Sequence, residues 1–156
     1  MAEVYLRDLT VDDASISYKW RNNSALWTYT RNKPNRLITE EIERAWAAKV
    51  IADRSRVNYA ICDSASGKYI GNIYLVNIWN QIGELGLFIG DYEFHHKGYG
   101  AMALELLKHK AKNEFNLLSI RIEVNKDNVP ALKTYYKCGA TVVSEEERWM
   151  YLEIKL

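Results

Sequence analysis

The chain has 156 residues, 48% hydrophobic and 26% charged, a composition that excludes an intrinsically disordered protein. That length accommodates one domain, expected over residues 1–156, and leaves little room for a second. With 21 Lys and Arg against 20 Asp and Glu, the net charge of +1 argues against a general nucleic-acid binder.

The longest uncharged run, Tyr69–Gly83, is broken by Asn72, Asn77, Asn80 and Gln81. It falls short of the roughly 20 mostly apolar residues of a membrane helix. The opening MAEVYLRDLT lacks the basic-then-apolar pattern of a signal peptide. Cys62 and Cys138 make neither a CxxC pair nor a disulfide framework. The expectation is a soluble, cytoplasmic protein with no membrane partner.

VYLRDL alternates apolar and polar residues and predicts a first strand. Asp12 and Asp13 are expected to cap a short helix running toward Trp20. Thr39 opens a clearer helix over EEIERAWAAKVIA, with acids in its first turn and Ile42, Ala45, Trp46, Lys49 and Val50 at helical spacing. VNYAICD and KYIGNIYLVNIW then predict two strands joined by SASG, where Gly67 can take positive φ. GELGLFIGD predicts another strand. Gly98 to Phe115 predicts a helix whose Ala103, Leu107, Ala111 and Phe115 form one row, with Leu106 beside it. SIRIEV is again strand-like, Val129 to Cys138 is helical with Pro130 in the first turn, and TVVSE and RWMYLEIK predict a closing hairpin. This order predicts an α/β (α+β) fold: an antiparallel meander in the middle, and a parallel strand–helix–strand unit from Gly83 to Val124.

IGDYEFHHKGYGAMALELL is the most informative segment. Gly98 and Gly100 fall where a strand has ended and a helix begins, so the chain can approach a ligand there and present unpaired N–H groups to a phosphate or pyrophosphate. Lys97, His95 and His96 can add charge or hydrogen bonds. The residues alone fit equally a glycine turn that only starts a helix. No GxGxxG or GxxxxGK[ST] is present, and the adjacent histidines lack the i, i+4 spacing of a helical zinc site, so no metal is expected.

His95-His96-Lys97-Gly98-Tyr99-Gly100-Ala101 resembles the acetyl-CoA pyrophosphate loop Q/R-x-x-G-x-G/A of the GNAT (Gcn5-related) N-acetyltransferases. Leu87-Phe88-Ile89-Gly90-Asp91 resembles that family's pantetheine-binding strand. The run from Asn125 through Asn128, Ala131, Tyr135, Lys137 and Gly139 resembles its asparagine–alanine–tyrosine–lysine–glycine motif, and the element order matches over nearly the whole chain. The chain is most similar to the subgroup of ribosomal-protein N-terminal and nucleotide-amino-sugar N-acetyltransferases. Three positions depart from the pattern: His95 stands for Gln, Arg or Trp, His96 for glycine, and Ala140 for an aromatic residue.

The resemblance implies a mostly antiparallel sheet of about seven strands flanked by about four helices. It implies acetyl-CoA as acetyl donor, held by the backbone of Leu87, Phe88 and Ile89, by the loop His95–Ala101, and by Asn128 and Tyr135. It also implies that Tyr135 supplies the hydroxyl near the thioester sulfur. Asn128 suits, in addition, the N-cap of its helix. Acetyl transfer further needs a base for the amine, and Glu84, on the same strand face as Gly86 and Phe88, is the expected one, contacting acceptor and proton alike.

Between Ala14 and Thr39 there is no acid, whereas Lys19, Arg21, Arg31, Lys33 and Arg36 are interleaved with Tyr18, Trp20, Trp27 and Tyr29. Such a wall suits an anionic acceptor with a flat ring and repels a polyamine. It is equally the composition of a solvated basic face over buried tryptophans. Trp20-Arg21-Asn22 resembles a motif of nucleotide-amino-sugar acetyltransferases, which implies a part in acceptor binding. The expected acceptor is therefore a small-molecule or peptide amine. A protein N-terminal acetyltransferase, or a non-catalytic CoA- or RNA-binding module, remains the alternative. An exposed edge strand would support a homodimer.

Overall fold

A computed structural model describes residues 3–31 and 33–156. One seven-stranded sheet is built from β1 (Val4–Asp8), β2 (Val57–Asp63), β3 (Tyr69–Trp79), β4 (Ile82–Ile89), β5 (Ser119–Asn125), β6 (Thr141–Glu145) and β7 (Trp149–Lys155). Its spatial order is β1-β2-β3-β4-β5-β7-β6. Every pairing is antiparallel except β4 with β5, so the predicted meander and the predicted parallel unit both form. Four α-helices flank it: α1 (Ala14–Arg21), α2 (Glu40–Ala52), α3 (Tyr99–Asn113) and α4 (Val129–Lys137).

Strand alternation gives each face of the sheet its own apolar layer. Tyr59, Ile61, Ile73, Leu75, Ile120, Leu152 and Ile154 pack with Ala103, Leu104, Leu107 and Ala111 of α3 and with Tyr135 and Cys138. On the opposite face Ala60, Cys62 and Tyr69 meet Trp20 of α1, Val50 of α2 and Leu9. Leu104, Leu107, Ile73 and Ile120 are wholly buried, and each such side chain contributes about 1.5–3 kcal/mol. The helix starts are local: Thr39 Oγ1 accepts from Ile42 N–H at 3.2 Å, and Asn128 Oδ1 from Ala131 N–H at 3.4 Å.

The chain differs from its sequence reading at α1. Asp13 makes no side-chain cap to that helix. Its carboxylate instead accepts two bonds from the Arg7 guanidinium, at 2.8 and 2.7 Å, and one from Thr10 N–H at 2.9 Å. A short 3₁₀ turn, Val11–Asp13, precedes the helix, and two more (Ser24–Trp27 and Tyr92–Phe94) punctuate the loops. No helix among the described residues is long and apolar enough to cross a membrane.

Candidate active site

The site begins with a failure of strand pairing. β4 and β5 pair only at Ile82–Ser119, Gly83–Ile120 and Glu84–Arg121. Beyond Glu84 they diverge, while β4 stays paired with β3 as far as Ile89. Gly90 N–H donates to Ile70 O at 2.8 Å. Antiparallel alternation from that bond turns the backbone groups of Phe88 toward β3 and those of Leu85, Leu87 and Ile89 toward the opening. Of the three strand residues expected to hold a coenzyme, Leu87 and Ile89 thus face the gap with their main chain, whereas Phe88 spends its own on the ladder. The Phe88 ring packs on Trp20 and Trp27.

The gap is the mouth of a cleft of about 1470 Å³. Leu87, Ile89, His95, His96, Gly98, Tyr99, Gly100, Ala101, Asn128, Tyr135, Glu84 and Arg21 all line it; Lys97, Trp20 and Asn22 do not. At one end α3 starts behind Gly98, whose φ is +87°. Met102 N–H is the first to bond within the helix, to Gly98 O, so the N–H groups of Gly98 through Ala101 have no intrahelical partner. Nothing lies within 4 Å of where a Gly98 Cβ would stand, and only Leu87 Cδ2, at 3.9 Å, approaches that of Gly100. An open cradle of unpaired amides at the positive end of a helix dipole fits a pyrophosphate. Gly98→Ala is expected to cost about 1–2 kcal/mol of stability through its left-handed φ alone. Its Kd for acetyl-CoA should rise while turnover at saturation holds, which calorimetry and steady-state kinetics would check.

His95 does a job that its family position does not announce. Its Nε2 lies 2.6 Å from Ile89 O. A carbonyl only accepts, so that nitrogen carries the proton and ties the loop back to β4. The ring also packs on Tyr92, tilted by 60° with centroids 4.8 Å apart.

Tyr135 lies midway along the cleft on α4, with only 9% of its surface exposed. Burial, with a smaller contribution from neighbouring Tyr74, pushes its phenol up to about 12. Tyr136 is turned outward. Glu84 stands exposed at the point of divergence, where its carboxylate accepts from Asn77 Nδ2 at 3.0 Å.

Tyr74 was not legible as a site residue. It also lines the cleft, and its ring occupies the space of a Gly86 side chain: a Cβ there would stand 2.0 Å from Tyr74 Cε2. Burial raises its phenol too, and Arg56 sits 5.0 Å from the ring centre. The signal for it is the β3–β4 register, which sets Tyr74 opposite Gly86.

At the other end the 20–22 triplet divides. Trp20 is buried against Tyr69, and its carbonyl accepts from Trp27 Nε1 at 3.0 Å. Asn22 is consumed by main chain: Nδ2 donates to Tyr18 O and Ile38 O, and Oδ1 accepts from Ile38 N–H. Both shape the wall from behind, and Arg21 alone reaches the cleft. Its guanidinium lies 5.3 and 5.6 Å from the rings of Trp27 and Trp46, with Nε 3.9 Å from Glu43 Oε1. Glu43 is buried and takes a 2.8 Å bond from Ser17 Oγ–H; burial raises its carboxyl. Arg31 crosses the cleft to pair with Glu123 and lies 4.1 Å over the Trp149 ring. Among the described residues no group of three His, Cys, Asp or Glu side chains could hold a metal.

A strand pair splayed over a glycine-capped helix, with a buried tyrosine between, defines an acyl-coenzyme A-binding fold. A family model for the acetyltransferase (GNAT) domain matches residues 3–141, and the chain belongs to that family. It is accordingly an acetyl-CoA-dependent acetyltransferase. It is 25% identical over 149 residues to acetyltransferase PseH of Campylobacter jejuni, covering 95% of this chain and 89% of that protein. It is 33% identical over 73 residues to streptothricin acetyltransferase of Escherichia coli, a match covering 47% of this chain and only 41% of that protein. Among solved structures, spermidine N-acetyltransferase from Vibrio cholerae, in complex with CoA and spermine, superposes with a TM-score of 0.86 at 20% identity, covering 97% of this chain and 95% of that one. At that identity the likeness concerns the fold.

Proposed function

We propose that this chain acetylates the primary amine of an anionic small molecule, a nucleotide-linked amino sugar being the acceptor class best suited to the site. The reading rests on one observation: a single cleft is lined by the free amides of α3, the Tyr135 phenol, the Glu84 carboxylate and the cationic Arg21. Acetyl-CoA, when bound, supplies the thioester carbonyl that the amine attacks. The amides of Gly98–Ala101 hold its pyrophosphate, aided by His95 and His96, while Leu87, Ile89 and Asn128 hold the pantetheine arm.

A lysine-like amine at pH 7 is neutral in only about one molecule in a few thousand. Glu84, directly or through water, takes the proton that must leave. Tyr135 Oη holds a proton for the departing sulfur, and its raised value keeps that proton in place until needed. Transfer is direct, with no acyl-enzyme: both cysteines are buried, and burial pushes the Cys138 thiol up to about 11, far from a thiolate nucleophile.

Residues 1–156 act on this reading as one catalytic domain in the cytoplasm. We also infer a homodimer, since β6 ends the sheet with every residue exposed, Val142 and Val143 included. A structural relative, spermidine N-acetyltransferase from Vibrio cholerae, forms a dodecamer.

The test is calorimetric titration with acetyl-CoA, CoA and dephospho-CoA, followed by assays with an amino-sugar nucleotide and with N-terminal peptides. Micromolar coenzyme binding and faster acetylation of the nucleotide are expected. Faster acetylation of peptides would move the acceptor to protein N-termini. A folded sample that binds no coenzyme but binds RNA in a salt-sensitive manner would overturn the enzymatic reading.

A further inference from the structure

Beside the main cleft lies a second cavity of about 350 Å³, whose lining includes Arg21, Asn22, Trp27, Lys33, Pro34 and Arg36. Its size is at the low end of the about 300–1,000 Å³ usual for small-molecule sites. Arg21 and Trp27 belong to both cavities, so a ligand lying in the cleft can extend into the smaller one. Three cations converge on it, and no carboxylate lines it among the described residues.

The ion pairs sort the basic segment into two groups. Arg31 is neutralised by Glu123 and Glu146. Lys33 and Arg36 pair with no carboxylate among the described residues, and Arg21 Nε is buried with no hydrogen-bond partner. Two of the unpaired cations, Lys33 and Arg36, thus line the side cavity beside Arg21, whose carboxylate partner Glu43 lies 3.9 Å from its Nε. Like charges brought together around one concave site repel one another, and an anion placed between them relieves that repulsion.

We propose that this side cavity is an anion subsite, which takes the phosphate or diphosphate of the acceptor while the acceptor's amine lies in the main cleft toward Glu84. The assignment rests on the acetyltransferase reading above for the position of the amine. The cavity itself stands on its own lining. Arg21 sits at the junction beside Glu43, whose carboxylate is itself fixed by a bond from Ser17 Oγ–H. A guanidinium suits a phosphate oxygen pair.

The test is a titration of UDP into protein already saturated with CoA, which keeps the probe out of the coenzyme's own pyrophosphate loop. The wild-type chain should bind UDP, more weakly at high salt. The double variant Lys33→Glu/Arg36→Glu changes two exposed side chains and should melt at the wild-type temperature. It should bind UDP at least about tenfold more weakly, with acetyl-CoA affinity unmoved. In turnover, its KM for a UDP-linked amino sugar should rise by the same factor at constant kcat, and its KM for the free amino sugar should stay put. UDP binding that CoA abolishes, or that the double variant leaves intact, overturns the subsite. If the protein binds no acetyl-CoA, the catalytic reading falls instead, and UDP titration of free wild type against the double variant still decides the cavity.

Discussion

Tyr135→Phe is expected to lower kcat by about 10²- to 10⁴-fold while leaving the KM for acetyl-CoA within about twofold. The substitution removes one oxygen from a buried ring and leaves the packing of α4 against the sheet intact. A hydroxyl used only when sulfur departs stabilises the transition state and not the bound substrates, so the loss falls on turnover. Steady-state kinetics with both substrates varied would read it, with Tyr136→Phe, on the outward face, as the control that changes nothing. With its phenol raised to about 12, Tyr135 also keeps its proton throughout the working range. No alkaline fall in wild-type kcat below about pH 10 should therefore trace to it. Unchanged turnover in the phenylalanine variant would remove Tyr135 from the chemistry.

Gly71→Ala should be strongly destabilising for a single added methyl. A Cβ at Gly71 would stand 2.3 Å from the carbonyl oxygen of Phe88 and 3.0 Å from Ile89 Cα. Both are backbone atoms of the strand that borders the cleft, so no rotamer change relieves the clash and β4 itself must move off β3. Overpacking of this kind costs about 3 kcal/mol, which for a chain of this size lowers Tm by about 6–12 °C. Acetyl-CoA affinity should fall with it, because Leu87 and Ile89 are displaced. Thermal denaturation and calorimetry check the two halves separately. A variant with wild-type Tm would mean that β3 and β4 do not approach as closely as Gly71 implies.

The fold was largely readable from local signals. The alternation of VYLRDL and SIRIEV, the Thr39 cap and the Gly98 turn are each contained within a few residues, and the elements form where those patterns run. Gly98 and Tyr135 could be singled out because their motifs are contiguous. The opaque features depend on which residues stand opposite one another. Gly71, Gly86 and Gly90 read as ordinary strand glycines until the β3–β4 register sets the first two against Phe88 and Tyr74 and the packing of α1 sets Gly90 against Trp20. Arg31 and Glu123 are joined across the cleft by tertiary structure alone. The 20–22 triplet shows the opposite hazard. Its three residues are adjacent in sequence, but one is core, one ties a loop, and only Arg21 reaches solvent in the cleft.

The brevity of the β4–β5 ladder has a mechanical consequence. Three residue pairs are the whole direct strand contact between a four-stranded half, β1 to β4, and a three-stranded half, β5, β7 and β6. Each half is internally stiff, since its own ladders run through five or more residues on most strands. Beyond Glu84 and Arg121 the halves are joined by the apolar core, in which α3 packs against strands of both. The point where the two halves part coincides with Glu84, the residue proposed to take the proton. Beyond that point the two halves present separate edges to whatever lies between them.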